Sequence, residues 1–245
     1  MKSALVTGAN KGIGFEIVKQ LAQQGFFVYL GCRNLENGLS AVEKLKAEGF
    51  GNIEAIELDV TSQASVEAAR KIIGEKIETL DVLVNNAGIS GKFEQLALET
   101  TIDEYQIVFD TNVFGVIRVT QGFIDLLKRA SNPRIVNVST AMASLTLASD
   151  IYGNNYPKRF VVYQSSKDAL NMYTVNLAYE LRDTKFKVNA VCPGYTQTDF
   201  TGNQGTSTPE QAGQRIVKYV LIGQDGPTGQ FFSEEHFPAP ANCPW

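Results

Sequence analysis

Tyr163 and Lys167 stand four residues apart in a stretch of helical pattern, so their side chains share one face. A free tyrosine titrates near ~10, poorly matched to neutral pH, but a nearby ammonium favours the phenolate and brings the phenol toward the range useful for proton transfer. Such pairs arise often by chance on helices, so this one needs companions. Near the N-terminus, Thr7-Gly8-Ala9-Asn10-Lys11-Gly12-Ile13-Gly14 follows a short apolar run and opens a helical pattern. Glycines let a backbone turn tightly and approach a pyrophosphate, and the helix behind it offers unpaired N–H groups and a positive dipole end. The spacing is not G-x-G-x-x-G, and a glycine turn at this position can also be merely structural.

Composition removes rival chemistries. The 245 residues hold one histidine, His236, and three cysteines, Cys32, Cys192 and Cys243, scattered along the chain. That excludes a two-histidine metal site and supplies neither a zinc cluster nor a disulfide framework, so no protein-bound metal is expected. A Ser-His-Asp hydrolase would have to use His236, and no G-x-S-x-G elbow exists. With 22 basic and 26 acidic side chains the formal charge is −4, which is not the footprint of a nucleic-acid or anionic-membrane binder. No apolar run approaches the ~18 residues of a membrane span. The start MKSALVTGAN lacks a signal-peptide core, so a cytoplasmic protein without membrane partners is expected.

The elements that must position these residues alternate regularly. Apolar strand patterns fall at 2–7, 26–32, 53–58, 82–85, 134–139 and 187–192, with a final edge strand at 230–233. Helical patterns fall at 12–24, 36–48, 65–78, 101–129, 162–182 and 209–222. Strands buried on both faces and separated by helices predict an α/β fold, with a parallel sheet covered by helices on both sides. No repeat or linker divides the chain, so residues 1–245 read as one doubly wound Rossmann-type domain with seven strands in the order 3-2-1-4-5-6-7. The polar stretch 202–209 reads as a mobile loop.

The combined pattern resembles the short-chain dehydrogenase/reductase family. T-G-x-x-x-G-x-G is followed by Asp59, Asn85-Asn86-Ala87-Gly88, Asn112, Ser139, Tyr163-x-x-x-Lys167 and Pro193-Gly194, in the family's order and over nearly the whole chain. The segments TGANKGIGF, LDVLVNNAGI, IVNVS, NAVCPGYTQTD and GPTGQFFSEE look like the carbonyl-reductase branch.

The resemblance implies a cofactor, NADP(H), and a set of roles. Gly8, Asn10, Lys11, Gly12, Ile13 and Gly14 would cradle it, Asp59 would hold the adenine amino group beside Val60, and Asn86, Ala87 and Gly88 would line the adenosine side. Pro193, Gly194, Thr196 and Thr198 would face the carboxamide and phosphates. Tyr163 would give a proton to a carbonyl oxygen in reduction, helped by Lys167 and an oxidised nicotinamide. Ser139 would hydrogen-bond the same oxygen, Lys167 the nicotinamide ribose, and Asn112 a water relaying protons to Lys167. On the residues alone, Asp59 could instead cap a helix, Thr196 and Thr198 a short helix, and Asn112 could brace a kinked helix.

Nucleotide choice turns on the end of the second strand. Cys32 stands where NAD-preferring members carry Asp, Arg33 follows, and Lys11 lies in the glycine turn. Guanidinium and ammonium groups suit a 2′-phosphate, against the alternative of an Arg33–Glu36 surface pair and a solvated lysine. The insert 140–162, with Met142, Tyr152, Asn154, Asn155, Tyr156, Pro157 and Phe160, is apolar and aromatic without a cationic cluster. It suggests a small, neutral, partly hydrophobic carbonyl substrate, in a pocket of Ser139, Met142, Tyr163 and Tyr195, unless the insert only packs on the surface. The expected activity is NADPH-dependent ketone and aldehyde reduction. A 3-oxoacyl-carrier-protein reductase is the same-family alternative, and an NADP-binding redox sensor the non-enzyme one. Monomer and homo-oligomer both stay open.

Overall fold

A computed structural model describes residues 1–93, 95–152 and 159–245. In chain order the elements are β1 (Ser3–Val6), α1 (Gly12–Gln23), β2 (Phe27–Cys32), α2 (Leu35–Ala47), β3 (Ile53–Glu57), α3 (Gln63–Gly74), β4 (Val82–Asn85), α4 (Ile102–Phe109), α5 (Gly115–Arg129), β5 (Arg134–Val138), α6 (Leu145–Ala148), α7 (Val161–Glu180), β6 (Lys187–Val191), α8 (Pro209–Val220) and β7 (Phe231–Phe232). The seven strands form one sheet in the order β3-β2-β1-β4-β5-β6-β7, and every pairing is parallel. The doubly wound architecture expected from the alternation is therefore present.

Strand residues point alternately to two cores. Ala4, Val6, Val82, Val84, Val136 and Val138 meet Ile17, Leu21, Leu45 and Ile216 from α1, α2 and α8. Leu5, Leu83 and Ile135 meet Val66, Ile73, Phe123 and Leu127 from α3 and α5 on the other face, where Ala178 of α7 also packs. Two-sided burial is what makes the strands near-continuous apolar runs.

Five helix starts carry their own caps: the Asn34, Ser62, Thr101, Ser144 and Thr208 side chains accept from the N–H three residues on. Ser62, not Asp59, caps α3. Three expected boundaries shift. The helical pattern 101–129 is interrupted by a π turn at Asp110–Phe114, which a 3.6-residue periodicity does not reveal. The third helix stops at Gly74, and the last strand is only two residues long. The stretch 202–209, expected to be a mobile loop, is tied back: Thr206 and Ser207 N–H both donate to Tyr195 O, at 2.8 and 3.0 Å. Within the insert, Ala141–Ala143 form a 3₁₀ turn ahead of α6. Tyr152 is exposed, Phe160 precedes α7, and Asn154, Asn155, Tyr156 and Pro157 lie outside the described residues. No described helix is long and apolar enough to cross a membrane.

Phe123 is fully buried and Leu98 fully exposed. Phe123→Ala is expected to cost about 3–5 kcal/mol of stability in urea unfolding, whereas Leu98→Ala stays within about 0.5 kcal/mol.

Candidate active site

The sheet winds in opposite directions from β1 and from β4, so the loops after these two strands diverge and leave a crevice at their carboxyl ends. The glycine turn forms one lip. Gly8 sits at φ +62°, and a Cβ on it would lie 2.8 Å from Ala87 Cα, so the turn and the loop after β4 touch backbone to backbone. A Cβ on Gly14 would meet Gly8 O at 2.5 Å and Asn86 Nδ2 at 2.6 Å. Behind the turn, α1 starts with Lys11 at its N-cap, with no capping side chain and no acid in its first turn. The N–H groups there are left for an anion, and a pyrophosphate fits that need. Asn10 is partly buried in the turn and Ile13 packs on the core beneath it.

Asn86, expected on the adenosine side, has a structural task as well. Its Nδ2 donates to Thr7 O at 2.9 Å and Gly8 O at 3.0 Å, so the side chain straps the two loops together. Ala87 N–H donates to Thr7 Oγ1 from the same loop. Asn85 reaches Thr120 Oγ1 and Asn137 Oδ1 across the strands, as a structural amide. Asp59 Oδ1 accepts from both Thr61 N–H and Thr61 Oγ1, fixing the turn after β3, while Val60 is buried beside it.

At the end of β2, Cys32 is buried, its thiol donates to Asn34 O at 3.1 Å, and burial pushes its titration up. Arg33 is exposed and makes no ion pair among the described residues, so the Glu36 partnership is not formed. Lys11 is paired across the crevice with Asp199, at 2.7 Å, both side chains about two-thirds exposed.

The segment after β6 forms the other lip. Pro193 O accepts from Arg215, and Gly194 follows at φ +87°. Thr196 is buried with its hydroxyl turned back to Gly194 O. Thr198 leads into the 3₁₀ turn Asp199–Thr201, and its N–H donates to Thr201 Oγ1. Tyr195 is half exposed and its hydroxyl donates to Gln204. Phe200, not foreseen from the sequence, is the residue beside Tyr163, with ring centroids 5.6 Å apart.

The end of β5 and the face of α7 come together through three successive residues. Val138 O accepts from Lys167 Nζ at 2.7 Å, Ser139 Oγ donates to Asn171 Oδ1 at 2.6 Å, and the Thr140 side chain hydrogen-bonds the Tyr163 phenol. Asn112 uses the π turn to reach sideways: Oδ1 accepts Ile89 N–H, and Nδ2 donates to Ile89 O and Ser166 Oγ. Its brace role is thus plain. Gly88 borders both Asn112 and Lys167, since a Cβ there would lie 3.3 Å from Asn112 Oδ1 and 3.5 Å from Lys167 Nζ. Met142 O accepts from Gln164 of α7, which fixes the insert's first turn against the catalytic helix.

Burial, the largest effect, pushes Tyr163 up, with Cys192 adding to it and Thr140 offsetting a part. This reverses the expected lowering. The ammonium that was to favour the phenolate is turned to a backbone carbonyl, and desolvation wins. The phenol therefore stands protonated, the form a general acid needs. Burial also pushes Lys167 down to about 8, with no carboxylate to oppose it.

Two buried polar residues at the site have no role assigned from the sequence, Gln95 and Asn171. Gln95, in the loop after β4, is buried, and its Oε1 accepts the N–H groups of Val162 and Tyr163, at 3.0 Å each. It caps α7 from 67 residues away, and no local signal marks it. Asn171 did carry a signal, four residues past Lys167 on the same face.

The short chain dehydrogenase family pattern matches residues 2–208. Salutaridine reductase of Papaver bracteatum is 32% identical over 95% of this chain and 94% of its own length. (−)-Isopiperitenone reductase of Mentha piperita is 34% identical over 95% and 96%. A carbonyl reductase from chicken fatty liver, solved with NADPH bound, superposes with a TM-score of 0.85 at 29% identity, covering 100% of this chain and 99% of that one. The chain belongs to the short-chain dehydrogenase/reductase family and is an oxidoreductase acting on carbonyl or alcohol substrates.

The lowered Lys167 gives a linkage test. Between about pH 8 and 10.5 the unfolded chain holds this proton and the folded chain does not, so this group's contribution to stability rises with pH across that window. Below it, the wild type carries a buried charge that Lys167→Met lacks. The stability of Lys167→Met relative to wild type should therefore be greatest below pH 8 and decline by on the order of 3 kcal/mol by pH 10.5. Urea unfolding at several pH values checks the slope and its sign.

Proposed function

We propose that the protein is an NADPH-dependent reductase of small, neutral, partly hydrophobic ketones and aldehydes. The observation that carries this reading is the convergence of Tyr163, Ser139 and Lys167, through Val138, Ser139 and Thr140, at the mouth of the crevice. When bound in the crevice, NADPH would supply the hydride for carbonyl reduction. Tyr163, held protonated by burial, gives its proton to the carbonyl oxygen as charge develops there, and Ser139 Oγ hydrogen-bonds the same atom. Lys167 would hold the nicotinamide ribose, and Asn112, which borders Gly88 together with Lys167, would hold a water that relays the proton back. The Phe200 ring beside Tyr163, with Met142 and Tyr195 on the neighbouring segments, suits an uncharged, partly apolar substrate. Pro193, Gly194, Thr196 and Thr198 frame the nicotinamide side, while Asp59, Val60, Ala87 and Gly88 frame the adenosine side.

Choice of NADPH over NADH rests on Arg33, which has no carboxylate partner among the described residues to compete with a 2′-phosphate. Lys11 can contribute only by leaving Asp199. A sensor without turnover has no use for the intact Ser139, Tyr163 and Lys167 group.

Two measurements test the reading. Tyr163→Phe keeps the ring and removes the acid, so kcat for the best carbonyl substrate should fall by at least ~10²-fold while NADPH still binds; near-normal turnover contradicts the mechanism. Arg33→Ala should weaken NADPH against NADH by about tenfold or more in kcat/KM, the scale of one charge-assisted hydrogen bond. A wild type that uses both nucleotides equally contradicts the NADPH assignment.

A further inference from the structure

One polar group beside the reaction centre has no task in the mechanism above. Asn171 lies on α7, four residues past Lys167 and eight past Tyr163, in one i, i+4, i+8 row of the helix. It is 2% exposed. Its Oδ1 accepts from Ser139 Oγ at 2.6 Å, and its Nδ2 is buried without a hydrogen-bond partner among the described residues.

Each half of that arrangement conflicts with the chemistry around it. A serine hydroxyl has a single hydrogen. While it points at Asn171 Oδ1, Ser139 offers a carbonyl oxygen only lone pairs, which repel developing negative charge. A buried N–H with no acceptor is among the rarest states of a polar group in a folded chain. A half-turn of the amide about its terminal torsion removes both conflicts, because it exchanges Oδ1 and Nδ2 without moving any neighbour. Nδ2 then donates to Ser139 Oγ, and the hydroxyl hydrogen is released. The atom left over is a carbonyl oxygen, and an acceptor without a partner is better tolerated than a donor.

We propose that Asn171 is a positioning residue: turned in this way, it donates an N–H to Ser139 Oγ and thereby commits the serine hydroxyl as a donor to the substrate carbonyl oxygen. The inference rests on the reductase reading and deepens it. A hydroxyl that accepts a hydrogen bond donates a stronger one, so Asn171 both aims Ser139 and polarises it. The residue touches neither substrate nor nicotinamide and acts only through Ser139.

The test is a double-mutant cycle on the full chain, with NADPH and the ketone or aldehyde that the wild type reduces fastest. Asn171→Leu should lower kcat about tenfold or more, a part of what a lost oxyanion donor costs, with KM for NADPH within about twofold. In a Ser139→Ala background the same change should cost less than about twofold, because the group it acts through is gone. Asn171→Asp, nearly isosteric, covers the case in which the leucine variant folds poorly. It can donate to Ser139 only while protonated, so its kcat should fall as pH rises through an ionisation that the wild type lacks. Equal fold-losses in both backgrounds, an unchanged kcat in Asn171→Leu, or an Asn171→Asp profile identical to wild type would overturn the role of Asn171 and leave the reductase reading standing. A wild type that reduces no carbonyl compound with either nucleotide overturns both.

Discussion

The strap between the loops after β1 and β4 is the constraint on which the site depends. Reversal of winding at that point forces the two loops apart, and the crevice they leave would be shapeless without a tie. Asn86 supplies it by giving both its N–H groups to Thr7 O and Gly8 O. The contact is so close that neither Gly8 nor Gly14 has room for a side chain. From this tie follow the angle at which α1 enters and the exposure of its first N–H groups. The path of residues 87–93 follows too, and Gln95 beyond it caps α7.

That path couples the two halves of the site. The loop that begins at the nucleotide lip ends by accepting the N–H groups of Val162 and Tyr163, and it passes Asn112, which holds Ile89 by both its N–H and its carbonyl. Three elements with no sequence proximity thus fix Tyr163: the loop through Gln95, the end of β5 through Thr140, and the 3₁₀ turn through Phe200. The same burial that holds the phenol protonated deprives Lys167 of solvent, and both follow from packing α7 on β6 and hydrogen-bonding it to the end of β5.

Legibility from the sequence follows range. The strands, most helices, their order and the chemical group Ser139, Tyr163, Lys167 could be read because each leaves a local pattern or a fixed spacing. The tie by Asn86 could not, since an asparagine after a strand looks the same whether it faces a ligand or a backbone carbonyl. Nor could Gln95, whose partners lie 67 residues on. The π turn at Asp110–Phe114 hides within an otherwise continuous apolar period, because adding one residue to a single turn barely disturbs the stripe. The titration of Tyr163 is not legible for a related reason. Spacing on a helix tells which side chains share a face, but not that the lysine will turn to Val138 O.

The bare start of α1 bears on the lifetime of the chain as well as on binding. Five other helices carry their own side-chain caps, whereas the start of α1 has none. The free protein therefore holds an unrepaired helix end at the centre of its sheet, and the nicotinamide nucleotide is part of the fold's support. A ligand at a hundred times its dissociation constant adds about 2.7 kcal/mol to a folded state. The fraction of chains open to proteolysis falls with it, about a hundredfold. A copy with an occupied crevice would then outlast an empty one, independently of whether any carbonyl substrate is present.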